Sequence, residues 1–125
     1  MINLIIDAAN EKFFFVIIDN NRSYTTSYLN SRKNFDNFMQ LLDNFLKKKK
    51  YNIKDIHRIF INLGPGKFTS LRISLSIAKA ISLANKISLV GFKSTDLVNK
   101  NYKNLINLDK KKIIIKDLIK PIYSS

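Results

Sequence analysis

The sequence has no cysteine and no tryptophan, and only one histidine, one glutamate, two prolines and three glycines in 125 residues. Without cysteine, disulfides and thiol catalysis are excluded, and the composition fits a reducing, intracellular setting, with the cytoplasm as the expected location. A zinc site draws on several histidine or cysteine ligands, which His57 alone does not supply. With Glu11 the sole glutamate and the aspartates scattered, a two-metal carboxylate centre is hard to build around the one candidate, Asp7. His57 sits beside Arg58 at the start of an apolar run with no orienting partner in sequence, so it reads as a structural or exposed residue. No positive signal for a nucleophile and its base emerges, and no cofactor is expected.

Long hydrophobic runs are missing too. None reaches the roughly 20 residues that a membrane span needs. The opening "MINLIIDAANEK" carries an acid soon after a short apolar run and no basic leader, so neither a signal peptide nor a membrane partner is expected. Apolar residues nevertheless make up 46% of the chain, enough for a folded core. The length suits one domain.

Acidic residues are few, and the formal net charge is +13. A basic face would attract nucleic acid. The competing explanation is codon bias in an AT-rich genome. Ile, Lys and Asn together supply 52 residues, and lysines outnumber arginines 18 to 4. Arginine, the better tool for bidentate phosphate recognition, is the scarce one. The run Lys47–Lys50 is accordingly read as a solvated helix end.

The order of elements follows from periodicity. Residues 2–7, 12–18 and 23–29 read as three strands joined by tight turns, the second buried on both faces and the third at an edge. A helix is predicted over about 34–50, capped by Asn34 and carrying Phe35, Phe38, Met39, Leu42, Phe45 and Leu46 at helical spacing. Then come a strand at 55–63, a helix at 68–85, a strand at 87–92 and a short helix after Ser94. Beyond it, two short strands around a lysine-rich turn and a Pro-anchored tail are expected. Hairpin-linked strands followed by βαβ crossovers predict a mixed five-stranded α/β sheet flanked by helices.

Two of the three glycines lie in "GPGKFTSLRIS", residues 64–74, between strand and helix. A Walker loop fails on two counts. Gly66-Lys67 is followed by Phe68, and Ile61 occupies the position of the first glycine. A dinucleotide fingerprint fails at Thr69, and Pro65 removes a backbone donor. Gly64, Pro65 and Gly66 therefore read as a rigid corner aiming the next helix.

That helix is apolar nearly all round. Phe68, Leu71, Leu75 and Ala78 fall on one side and Ile73, Ile77, Ala80 and Ala84 near the other. A sheet covers only one side. Ser70, Ser74, Ala78 and Ser82 form an i, i+4 row of small side chains that would let another helix approach. A partner interface is therefore expected from Phe35, Phe38, Met39, Leu42, Ser70, Leu71, Ser74, Leu75 and Ala78; mutual coverage of the two helices is the competing explanation.

"GPGKFTSLRISLSIAKAIS" resembles the signature of the bacterial TsaB (YeaZ) family. Gly64, Pro65, Gly66, Phe68, Thr69, Arg72, Ile73 and Ala78 match. "LIIDAAN" resembles the family's opening strand with Asp7 in place, and "LVGFKSTDLV" and "IKPIYSS" resemble its next strand and its closing segment. The resemblance implies an actin-like, RNase H-like (ASKHA) fold, with an N-terminal domain at 1–99 and residues 100–125 a remnant of a second domain plus a tail. It implies a non-catalytic role in forming threonylcarbamoyladenosine beside the tRNA anticodon. The expected partners are the catalytic paralogue TsaD in a heterodimer, the ATPase TsaE, a second copy when TsaD is absent, and tRNA through the complex. Ser70 and Ser74 stand where the family has glycine, Lys67 where serine is usual, and Asn34 where many members have histidine. Two alternatives remain open: an enzyme of the actin-like superfamily, peptidase- or kinase-like, and a basic tRNA-binding module.

Overall fold

Strand β1 (Ile2–Asp7) alternates Leu4 and Ile6 on one sheet face with Ile5 on the other. Strand β2 (Lys12–Asp19) does the same with Phe13, Phe15 and Ile17 against Val16 and Ile18, as a strand buried on both faces must. The structure, a computed structural model, describes residues 1–97 and 101–110. Asn20 takes the left-handed φ of 55° that a two-residue turn demands, and β3 (Arg22–Leu29) returns antiparallel to β2, pairing Arg22 with Asp19. The parallel strands β4 (Arg58–Asn62) and β5 (Ser88–Phe92) complete the sheet in the order β3-β2-β1-β4-β5. This is the expected mixed five-stranded sheet, with β1 central, antiparallel to β2 and parallel to β4.

One face is covered by three helices. The helix expected over 34–50 is instead two, α1 (Arg32–Asp36) and α2 (Phe38–Lys48), broken at Asn37. The cap is Ser31, whose hydroxyl accepts from the Asn34 N–H at 3.3 Å. Asn34, the predicted cap, instead donates its amide to the Leu29 carbonyl at 2.8 Å. The chain leaves β3 so tightly that the helix starts earlier than its apolar pattern does. Phe38, Leu42, Phe45 and Leu46 bury against Phe13 and Phe15; the Phe15 and Phe38 rings meet edge-on at 5.0 Å. Helix α3 (Phe68–Asn85) lies over β1, β4 and β5.

The opposite face carries a smaller core of Ile5, Val16, Ile18, Phe60, Val90 and Phe92. It is closed by α4 (Lys103–Lys110), where the first of two short tail strands had been expected. Tyr102, Leu105 and Ile106 pack on this core at the i, i+3, i+4 spacing of a helix face. The rest of the predicted hairpin and the tail lie outside the described residues. A single 3₁₀ turn follows Lys93, at Ser94–Asp96, where a short helix was expected; its remainder, residues 98–100, also lies outside the described residues.

Candidate functional site

Asp7 ends β1 and Asn62 ends the parallel strand β4 beside it, at the point where the sheet changes from antiparallel to parallel pairing. Both side chains are buried. Asp7 Oδ1 accepts from Asn62 Nδ2 at 2.9 Å and from the Ala9 N–H at 3.3 Å, and Oδ2 accepts from the Tyr102 hydroxyl at 2.7 Å. Asn62 Oδ1 accepts in turn from the Gly64 N–H at 2.8 Å, and its amide reaches Ser94 Oγ at 3.1 Å. Burial, then the Asp7 charge, pushes the Tyr102 phenol well above its ordinary range, so the hydroxyl stays a donor. Asp7 therefore works as a structural anchor here. It ties β1, β4, the loop after β5 and the start of α4 together.

The glycine corner grows from the same knot. Gly64 adopts φ 104°, and its carbonyl accepts from the Ser94 N–H at 3.0 Å. Gly66 lies so close to the turn after β1 that a Cβ there would sit 2.5 Å from the Ala9 carbonyl oxygen. Pro65 is exposed between them. The corner sets the angle at which α3 leaves the sheet.

Ser70, Leu71, Ser74, Leu75, Ala78 and Ile81 of α3 are turned inward and buried. Ser70 Oγ donates to Asn30 Oδ1 at 2.8 Å and Ser74 Oγ to the Leu71 carbonyl at 3.1 Å. The small-residue row thus closes α3 onto its own domain. Of the nine residues expected at a partner interface, Phe38, Leu42, Ser70, Leu71, Ser74, Leu75 and Ala78 are interior in this chain; Phe35 is half-buried and Met39 is 48% exposed. Helical periodicity marks two apolar arcs on α3 without saying which one faces the sheet.

The arc left outside consists of Ile73, half-buried, with Ala80, Leu83 and Ala84 exposed; Leu83 is 82% exposed, and Ile77 at the border of the arc packs in part on the core. Phe68 at the head of the helix is 47% exposed, with the Arg72 guanidinium 5.7 Å from its ring centroid and Thr69 exposed beside it. Between the starts of α1 and α3 lies a cleft of about 510 Å³, lined by Arg32, Phe35, Lys67, Phe68 and Ile73 among others. Nothing in the sequence singled out Leu83, and nothing linked Tyr102 to Asp7. His57 joins the start of β1, its Nδ1 accepting from the Ile2 N–H at 3.0 Å and its own N–H bonding the Ile2 carbonyl. Among the described residues no helix is long and apolar enough to cross a membrane.

Comparison with known proteins adds to this geometry. Residues 26–104 match the family model "TsaD: tRNA N6-adenosine threonylcarbamoyltransferase". The chain is 33% identical over 60 residues to the tRNA threonylcarbamoyladenosine biosynthesis protein TsaB of Buchnera aphidicola subsp. Schizaphis graminum; the match covers 48% of this chain and 29% of that protein. It is 41% identical over 54 residues to the tRNA N6-adenosine threonylcarbamoyltransferase of Persephonella marina, covering 43% of this chain and 16% of that one. The solved structure of YeaZ from Pseudomonas aeruginosa superposes with a TM-score of 0.71 at 15% identity, over 78% of this chain and 46% of that chain. The match thus spans less than a third of the length of the curated relatives, and the shared fold is the ASKHA type.

Proposed function

Because this chain belongs to the family of the threonylcarbamoyltransferase TsaD, as a TsaB/YeaZ-type member of it, we propose that it is a non-catalytic partner subunit in forming threonylcarbamoyladenosine on tRNA. In this reading it binds and activates TsaD as a heterodimer. The observation that carries it is the outward arc of α3. Ile73, Ala80, Leu83 and Ala84 form an apolar stripe on the side of α3 away from the sheet, bordered by Ile77, which packs in part on the core. Phe68 and the cleft beside Phe35 extend it toward the head of the helix, and Met39 adds apolar surface on α2. The interior members of the expected interface then act from below, by holding α3 at a fixed angle. In the absence of TsaD the same stripe would pair with a second copy, and TsaE would join the assembled complex. The cytoplasm, where tRNA is modified, is the proposed location.

Asp7 supports the non-catalytic half of the reading. Both its carboxylate oxygens are held by donors from this chain. The test is co-purification with TsaD from the same source. The wild-type chain should bring TsaD down and Leu83→Asp should not, while both unfold at the same temperature. Equal recovery with both variants, or none with either, would overturn the reading.

A second reading, a catalytic transferase, is favoured by the 41% identity to the Persephonella marina enzyme. Threonylcarbamoyl transfer by this chain without TsaD would establish it.

A further inference from the structure

Four consecutive lysines close α2 and the turn after it, and the fold places them beside the β3 edge of the sheet. Lys47 is paired with Asp43 at 2.8 Å, an i, i+4 contact on the helix surface. Lys49 Nζ lies 5.2 Å from the centroid of the Tyr24 ring on β3. Lys48 and Lys49 border a groove of about 310 Å³ whose other wall carries Thr25 and Thr26. Lys50, in the turn after the helix, has φ 65° and is exposed, as is Arg22 at the start of β3. The other acid placed here, Asp19, accepts from the Tyr51 hydroxyl at 2.8 Å. The helix end does not oppose an anion with bare carbonyls, because the N–H groups of Lys49, Lys50 and Tyr51 turn back onto those of Phe45, Leu46 and Lys47. Among the described residues β3 pairs only with β2, so its outer edge adds backbone donors beside the Thr26 hydroxyl.

We propose that this groove and the Lys48–Lys50 cluster bind the phosphate backbone of folded RNA. The chemistry fits a polyanion read without sequence. Flexible ammonium groups act as point charges, and hydroxyls and edge N–H groups supply short-range contacts of the kind that position phosphates. Composition alone places lysines anywhere, whereas here a helix end meets a strand edge distant in sequence, Lys49 against Tyr24. The patch lies at the β3 edge, whereas α3 lies over β1, β4 and β5, so RNA and a protein partner would use separate surfaces. The inference rests on the proposed tRNA-modifying role and deepens it, naming the surface through which the chain would touch RNA.

The test uses fluorescence anisotropy with an unmodified tRNA transcript and the full chain, across about 50–200 mM salt. Replacing Lys48, Lys49 and Lys50 together by alanine should weaken binding about tenfold or more at the middle of that range and lower the salt slope by about 2. The charge-matched control Lys67→Ala/Lys79→Ala/Lys86→Ala should leave both nearly unchanged; an equal loss in the control would mean bulk charge and overturn the proposal. Poly-glutamate competing as well as RNA, charge for charge, would overturn it in favour of an acidic protein. Should the triple variant fail to fold, Thr26→Glu carries the test, since Thr26 pairs with Phe15 on the sheet face that α2 covers and lines the groove; unchanged RNA binding there would sink the idea. TsaD co-purification with each variant, run in parallel, separates the two readings: loss of RNA binding with the protein complex intact supports the patch alone.

Discussion

The Tyr102 hydroxyl donates to Asp7 Oδ2 at 2.7 Å, joining the start of α4 to the end of β1 across 95 residues of chain. Asp7 is 2% exposed, so each donor it has replaces water it gave up on folding. Among the described residues, Tyr102 is its only donor from outside the sheet and its connecting loops.

Tyr102→Phe should therefore keep the packing of the ring and lose the bond, leaving Oδ2 of a buried carboxylate without this partner. A loss of about 1.5–3 kcal/mol is expected. Urea unfolding at neutral pH, compared with wild type, measures it. An unchanged midpoint would mean that water takes the hydroxyl's place.

The same bond sets a pH dependence. The Tyr102 phenol is raised above its ordinary range of about 10 in the folded chain. A group raised on folding contributes its full stability below the unfolded value and loses it as pH climbs toward the folded one. Tyr51, pushed up to about 12 by burial and by its bond to Asp19, acts in the same direction. The wild-type unfolding midpoint should hold through pH 9 and fall above about pH 10, whereas Tyr102→Phe should start lower and fall less steeply.

Gly66→Ala should destabilise the chain by about 1–3 kcal/mol, since the added Cβ meets the backbone of Ala9 in the turn after β1, which has no rotamer to escape into. Thermal unfolding would record this. Pro65→Ala, at an exposed position, should cost less.

Helix α3 offers a paired test of inside against outside. Leu75 is 5% exposed and Leu83 is 82% exposed. Leu75→Ala should cost about 2–5 kcal/mol, and Leu83→Ala should stay within about 0.5 kcal/mol, by chemical denaturation of the chain diluted until it is monomeric. Equal effects would mean that α3 is covered on both sides within the monomer.

Much of the fold was legible because the patterns involved are local. The double-faced apolar run of Phe13–Ile18 states a buried strand, Asn20-Asn21 states a turn, and Phe68–Asn85 states a helix whose observed ends match the prediction. The break at Asn37 was less visible, because Phe35, Phe38 and Leu42 keep helical spacing across it. The helix α4 was misread as a strand because its alternating Leu105, Ile106 and Leu108 fit either period over so few residues.

What the sequence by itself determined is the set of elements, the glycine corner, the scarcity of catalytic groups and the family signature, all carried by residues close together in the chain. Which arc of α3 turns outward, who satisfies Asp7, and where the lysines of α2 come to lie were decided only by tertiary structure. Each depends on contacts between segments tens of residues apart. Hydrophobic burial selects among such pairings by area and fit, and a periodic pattern carries no record of which partner wins.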